Sequence, residues 1–155
     1  MKNLKIIEAN LQHSELVWNW RNDPHTRKMF NSNHLISFKE HNQWFINVLS
    51  DKNRKMLVGL CEDIPFGMTR FDKLINEKDT YSISINICPS KRNLGLGKYL
   101  LKESILEFFF KSQDCNRVLG EIKIQNLPSC KLFESCGFKL KEINSQKKIY
   151  ELKKE

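Results

Sequence analysis

Alanine occurs once in this 155-residue chain, at Ala9, and proline and glycine are scarce, at four and six. No stretch rich in Pro, Gly or Ser divides the sequence, and no repeat or low-complexity tract interrupts it, so residues 1–155 read as a single domain. The five cysteines (Cys61, Cys88, Cys115, Cys130, Cys136) are odd in number and include no C-x-x-C pair. That argues against a disulfide framework and a zinc knuckle, and for a reducing compartment. The first residues, Met1-Lys2-Asn3-Leu4-Lys5, lack the apolar centre of a secretory leader. The run Ile105 to Phe110 is broken by Glu107, and no apolar run approaches the length needed to span a bilayer. A cytoplasmic location is the expectation. His13, His25 and His34 have no ligand spacing, so no metal is expected.

What is present is ordinary for a globular chain: 40% hydrophobic, 28% charged, with ten Phe and three Trp. A chain of this length buries roughly two-thirds of the surface it exposes unfolded, enough for a core without covalent staples. The formal net charge of +8 points to an anionic partner. The same sign suits nucleic acid, a phosphate-rich cofactor or a nucleotide-linked substrate. Abundant Lys, Asn and Ile beside so little Ala is also the bias of an AT-rich coding sequence, which accounts equally well for many surface lysines. No linear block gathers basic residues with aromatics as a nucleic-acid surface would.

Periodicity predicts the order β-α-α-α-β-β-β-α-β-α-β-β. Lys5 to Glu8 reads as a strand. Ser14 caps a helix carrying Leu16, Val17 and Trp20, and Asp23-Pro24 restarts the chain as a short helix. Ser37-Phe38-Lys39-Glu40 fits a capping box opening a helix with Phe38, Trp44, Phe45, Val48 and Leu49 on one stripe. Met56 to Cys61 and Ile64 to Asp72 flank a Glu62-Asp63 hairpin turn. Tyr81 to Ile87 alternates without a break, placing Ile83, Ile85 and Ile87 opposite Ser84 and Asn86. A helix runs through Phe110, then a strand from Val118 to Ile124 and a helix from Pro128 to Cys136 stopped by Gly137. Phe138 to Ile143 and Lys148 to Leu152 close the sheet. The fold class expected is α/β (α+β), a mixed sheet with helices on both faces.

The chemically informative segment is a strand, Pro89, and then Arg92-Asn93-Leu94-Gly95-Leu96-Gly97 opening a helix. Glycines allow backbone angles closed to other residues and let the main chain approach a ligand. The first N–H groups of a helix lack intrachain acceptors and sit at its positive end, which makes a site for phosphate oxygens. Arg92 and Lys98 add charge. The segment is not a P-loop, since no G-K-[ST] follows, and it does not match G-x-G-x-x-G.

Together with a strand ending at Asn126, then Ser129, Leu132-Phe133 and Gly137-Phe138, the segment resembles the GNAT superfamily of acyl-CoA-dependent N-acetyltransferases over essentially the whole chain. The resemblance implies acetyl transfer from acetyl-CoA to an amine, without a metal. It also implies a mostly antiparallel central sheet of about seven strands with a splayed central pair. Carried over, the pantetheine arm pairs with the main chain of Ile85, Asn86 and Ile87. The pyrophosphate is held by amides from Asn93 through Lys98 (Leu94, Gly95, Leu96 and Gly97 between them), and Asn126 contacts the cofactor. Glu121, five residues before Asn126, matches the E-x-x-x-x-N pattern of members resembling ribosomal-protein N-terminal acetyltransferases and is the candidate base. Read without the resemblance, Glu121 is equally a partner for a cross-strand Lys. Where many members carry a Tyr that protonates the leaving thiolate, this chain has Phe133; water, Ser129 and Tyr150 remain as donors.

The N-terminal third carries a narrower resemblance. Trp20-Arg21-Asn22-Asp23-Pro24, Arg27, Ile36-Ser37, His41-x-x-Trp44-Phe45, Gly67 and Arg70-Phe71-Asp72 are similar to aminosugar N-acetyltransferases of pseudaminic and legionaminic acid biosynthesis. It implies as acceptor the 4-amino group of a UDP-linked 4-amino-4,6-dideoxy sugar. Asn22, Arg27, His41 and Arg70 are then the candidate substrate contacts, while Trp20 and Trp44 read better as core. A protein N-terminal acetyltransferase and a non-catalytic acyl-CoA-binding module stay open as alternatives, and a homodimer is the assembly to look for.

Overall fold

The computed structural model describes residues 2–30 and 34–155. Seven strands, β1 (Leu4–Glu8), β2 (Arg54–Cys61), β3 (Ile64–Lys73), β4 (Thr80–Ile87), β5 (Arg117–Lys123), β6 (Lys139–Ile143) and β7 (Lys147–Lys153), form one sheet in the order β1-β2-β3-β4-β5-β7-β6. Five helices, α1 (Ser14–Arg21), α2 (Pro24–Met29), α3 (Phe38–Ser50), α4 (Leu96–Lys111) and α5 (Leu127–Ser135), complete it. Every neighbouring pair is antiparallel except β4 and β5, which run parallel. The element order and mixed sheet follow the expectation, with element ends shifted by a residue or so. Two short 3-10 turns, Leu11–His13 and Pro89–Lys91, had no distinct sequence signal.

Helices cover both faces of the sheet because its central strands bury both sets of side chains. On β2, Met56, Val58 and Leu60 meet Val17, Trp20, Phe45 and Val48 of α1 and α3. Leu57, between them in sequence, faces the other way with Phe71, Tyr81, Ile83, Val118 and Ile122, against Leu101, Ile105 and Phe108 of α4 and Cys130 and Phe133 of α5. A strand buried on both sides reads as a continuous apolar run rather than an alternation, as Met56–Leu60 does. The hairpin turn is confirmed at Glu62 (φ 50°) and Asp63 (φ 65°), two left-handed residues whose twist matches that of the flanking strands.

Two members of the expected helix stripes lie outside the core. Leu16 and Phe38 are 39% and 40% exposed. Phe38 packs edge-on against Trp18, with ring centroids 5.3 Å apart, and the Trp18 Nε1–H donates to the Ile36 carbonyl at 2.7 Å. Among the described residues no helix is long and apolar enough to cross a membrane.

Candidate functional site

β4 and β5 pair only from Thr80↔Arg117 to Ser82↔Leu119. Beyond that point β4 stays with β3 as far as Gly67↔Ile87, while β5 stays with β7 as far as Lys123↔Lys147. The two strands therefore part, and a cleft of about 750 Å³ opens, lined on one side by Ser82 to Ile87 and on the other by Glu121, Ile122 and Lys123. The Cys88 N–H donates to the Phe66 carbonyl across β3. Because main-chain direction alternates along a strand, the C=O of Ile83 and the N–H and C=O groups of Ile85 and Ile87 face the gap, unpaired by β5. Such groups need a partner, and a peptide-like chain laid in the gap supplies one. The opening begins at Ile83, two residues before the stretch expected from sequence. It starts beside Gly120, where the Phe133 ring lies so close that an added Cβ would stand 2.4 Å from it.

At one end of the cleft lies the glycine turn. Asn93 (φ 62°) and Gly95 (φ 78°) are left-handed, and Gly95 occupies the cap position of α4 without a side-chain cap. A Cβ on Gly95 would meet nothing within 4 Å, so glycine is demanded by the backbone angle rather than by crowding. The uncapped first amides of α4 form an anion-accepting end, with Lys91, Arg92, Asn93, Gly95, Gly97 and Lys98 on the cleft wall. Leu94 is 58% exposed and Leu96 is buried against Phe66 and Leu100. Neither side chain lines the cleft, so only their main chain is placed to contribute there, as the amide reading expects. Asn126 lines the cleft and also caps α5, accepting the Ser129 N–H at 3.4 Å.

Arg92 reaches the cleft, but its guanidinium is engaged elsewhere than expected. It meets Asp23 at 3.2 Å and donates to Thr26 Oγ1 at 2.6 Å, tying the turn to the start of α2. Burial alone would raise the Asp23 pKa, but hydrogen bonds from the Thr26 N–H and Arg92 outweigh it and hold the carboxyl below its ordinary value.

Across the cleft, Glu121 is exposed and ion-paired with Lys147 of β7, and both line the wall. Its two sequence readings, cleft carboxylate and cross-strand pair, are thus both true of the geometry. Arg70 also lines the cleft, with its Nε–H donating to Asp72 at 2.8 Å and its guanidinium 5.2 Å from the centre of the Trp44 ring. Trp44 is therefore only partly core. Sequence reasoning missed His25, Met29, Phe30, Asp72, Ser82, Ser84, Lys123 and Lys147 on the wall. The alternation of β4 was a usable signal for Ser82 and Ser84, but nothing in the linear sequence marked Lys147.

Three nominated acceptor contacts are corrected, because none of them lines the cleft. Asn22 pins the following loop: its Nδ2 donates to the Ile36 carbonyl at 2.9 Å and its Oδ1 accepts the Ile36 N–H at 3.0 Å. The Arg27 Nε–H donates to the Asn22 carbonyl at 3.1 Å. His41 is fully buried, with Nε2–H donating to the Ser14 carbonyl at 2.9 Å and Nδ1 accepting from Arg21 at 3.1 Å. Tyr150 is likewise excluded as the thiolate's proton donor, since its hydroxyl donates to Glu134 at 2.9 Å and it does not line the cleft. Phe133 does line it but has no proton to give, and Ser129 remains on the wall.

Burial, reinforced by the Arg21 charge, pushes the His41 pKa down from 6.5 to about 4. The neutral folded form resists a proton that the unfolded chain accepts. Stability from this group is therefore complete above pH 6.5 and is lost as pH falls toward 4, by roughly 3 kcal/mol at about 1.4 kcal/mol per unit. Urea unfolding at pH 7 and pH 4 should show this loss in the native chain and a correspondingly smaller one in His41→Gln. Equal losses in the two proteins would show that His41 contributes no such linkage.

Comparison with known proteins agrees with this geometry. A family model described as an acetyltransferase (GNAT) domain matches residues 3–139. The chain is 23% identical over 134 residues to acetyltransferase PseH of Campylobacter jejuni, covering 86% of this chain and 81% of that one. A domain from Methanocaldococcus jannaschii superposes with a TM-score of 0.83 at 23% identity, covering 99% of each chain. Spermidine N-acetyltransferase from Vibrio cholerae, solved with CoA and spermine, superposes at 0.84 with 16% identity, covering 97% of this chain and 95% of that one. Among the described residues no cluster of three His, Cys, Asp or Glu side chains is arranged to hold a metal.

Proposed function

From the premise that this chain belongs to the acetyltransferase (GNAT) domain family and is an acetyl-CoA-dependent N-acetyltransferase, we propose that its acceptor is the 4-amino group of a UDP-linked 4-amino-4,6-dideoxy sugar. That places it in nonulosonic acid, pseudaminic-type, or surface-glycan assembly. The observation that carries the reading is the charge of the cleft beyond the glycine turn. Arg70, Lys123 and Lys147 stand there against Asp72 and Glu121, and Asp72 is held by Arg70. A wall of that sign suits an acceptor carrying a diphosphate and opposes a polycationic one. The resemblance of the N-terminal third to aminosugar acetyltransferases and the identity with PseH point the same way.

In this reading acetyl-CoA lies along the fork, with its pyrophosphate on the amides from Asn93 to Lys98 and its pantetheine against Ile85, Asn86 and Ile87. The acceptor ammonium first loses a proton to the Glu121 carboxylate. The amine nitrogen then attacks the thioester carbon, a C–N bond forms, and the C–S bond breaks. Negative charge growing on the carbonyl oxygen is met by a main-chain N–H of β4 facing the gap, a donor already in place. The second amine proton goes to solvent, and the thiolate takes one from water, since Phe133 offers none. Holding thioester and amine side by side removes much of the entropic barrier to their encounter.

The test is thiol release from acetyl-CoA with a UDP-4-amino-4,6-dideoxy sugar beside a panel of peptide amines. Turnover on the sugar and none on the peptides is expected. The reverse result would make the chain a protein N-terminal acetyltransferase, and acetyl-CoA binding without turnover on any amine would make it a binding module.

A further inference from the structure

Lys147 is unlike Lys123, Arg92 and Arg70 on the cleft wall. Lys123 donates to the Lys28 carbonyl at 2.8 Å, Arg92 is bound to Asp23 and Thr26, and Arg70 is fastened to Asp72. Each of these holds the scaffold together. Lys147 instead places its ammonium on Glu121, the carboxylate that must receive the acceptor's proton in the reading above. Glu121 comes from β5 and Lys147 from the start of β7, two positions apart in the register Glu121↔Ile149 and Lys123↔Lys147. Side chains two apart on neighbouring strands share a face, so the pair follows from the sheet itself.

A protein ammonium sitting on the proton acceptor imitates the substrate. An incoming R–NH3+ needs the same carboxylate, so it must displace Lys147. An acceptor carrying its own anion gives the displaced Lys147 a new partner, whereas an acceptor without one leaves that charge unpaired in the cleft. We infer that Lys147 is a specificity-determining residue, which changes partner from Glu121 to an anionic group of the acceptor and so favours phosphorylated amines over neutral or cationic ones.

This inference rests on acetyl transfer with Glu121 as base, and it goes further by assigning the selection to one lysine. The side chains of Lys147 and Glu121 are 25% and 51% exposed, so the pair is a weak lock that an acceptor can open.

The experiment compares kcat/KM for a UDP-linked 4-amino-4,6-dideoxy sugar with that for the same aminosugar without the nucleotide, in the native chain, Lys147→Gln and Lys147→Arg. Loss of a charge-assisted contact should lower kcat/KM of Lys147→Gln on the UDP-linked acceptor by about tenfold or more. Release of Glu121 should raise it on the free aminosugar by roughly two- to fivefold, the range of an exposed ion pair. Lys147→Arg keeps the cation and should keep the native preference. An equal fall on both acceptors, or no change on either, would overturn the inference. Native protein inactive on both sugars would instead remove the acceptor reading beneath it, so the two failures are distinguishable.

Discussion

Glu121→Gln lowers kcat by about 10²- to 10⁴-fold at saturating acetyl-CoA, the usual contribution of a positioned general base. The KM for acetyl-CoA stays near its native value, because the glycine turn and the β4 main chain, proposed to receive the cofactor, lie on the opposite wall. The amide keeps the size of the side chain and removes only its capacity to take a proton. It also ends the ion pair with Lys147, but both partners are partly exposed, so the fold loses little. Pre-steady-state mixing separates the outcomes. A slowed chemical step with normal cofactor binding supports Glu121 as base, and unaltered turnover removes it from the mechanism. A rise in acetyl-CoA KM alone would mean that the carboxylate shapes the cofactor groove instead.

Phe133→Ala destabilises the chain by about 3–5 kcal/mol, the range for deleting a buried aromatic ring. Phe133 is 2% exposed and packs against Phe138, with ring centroids 4.8 Å apart. Its ring also covers Gly120 at the point where β4 and β5 separate, so Gly120→Ala would force a methyl to within 2.4 Å of a ring carbon. Added methyls normally stiffen the unfolded chain and help slightly, by about 0.4–1 kcal/mol. Here the ring is packed against Phe138 and Tyr150, and overpacking wins at roughly 1–3 kcal/mol. The two sites therefore couple: in a Phe133→Ala background, Gly120→Ala should cost nothing or stabilise. Denaturant midpoints across the four proteins check this, and additive losses would show that ring and glycine do not oppose each other. The same ring fills the position from which many family members supply a hydroxyl. In this chain it contributes packing, and no proton.

The sequence made the catalytic frame legible wherever a local rule produced it. The alternation of Tyr81–Ile87 marked β4, and the R-x-x-G-x-G run from Arg92 to Gly97 ahead of an apolar helix marked the anion-accepting turn. Asp23 and Ser37 were visible as helix caps, and their side chains accept the Thr26 and Glu40 N–H groups. The acceptor side was read less well. His41 lies three and four residues from Trp44 and Phe45 on α3, and its ring turns into the core instead of toward the cleft. Asn22 and Arg27 are polar residues near the site, but Asn22 spends its side-chain hydrogen bonds on Ile36 ahead of α3, and Arg27 donates to the Asn22 carbonyl between α1 and α2.

Periodicity, turn chemistry and helix capping act between residues a few positions apart, so the order of elements, the two-faced sheet and the anion-accepting turn were settled by the chain itself. Three features were decided by strands and helices meeting across long stretches of sequence. They are the parting of β4 from β5 at Ile83, the latch from Arg92 to Asp23 across 69 residues, and the seating of Lys147 on Glu121 across 26. Charge and hydrogen-bonding groups choose partners by distance in space, and that distance exists only once the sheet has formed.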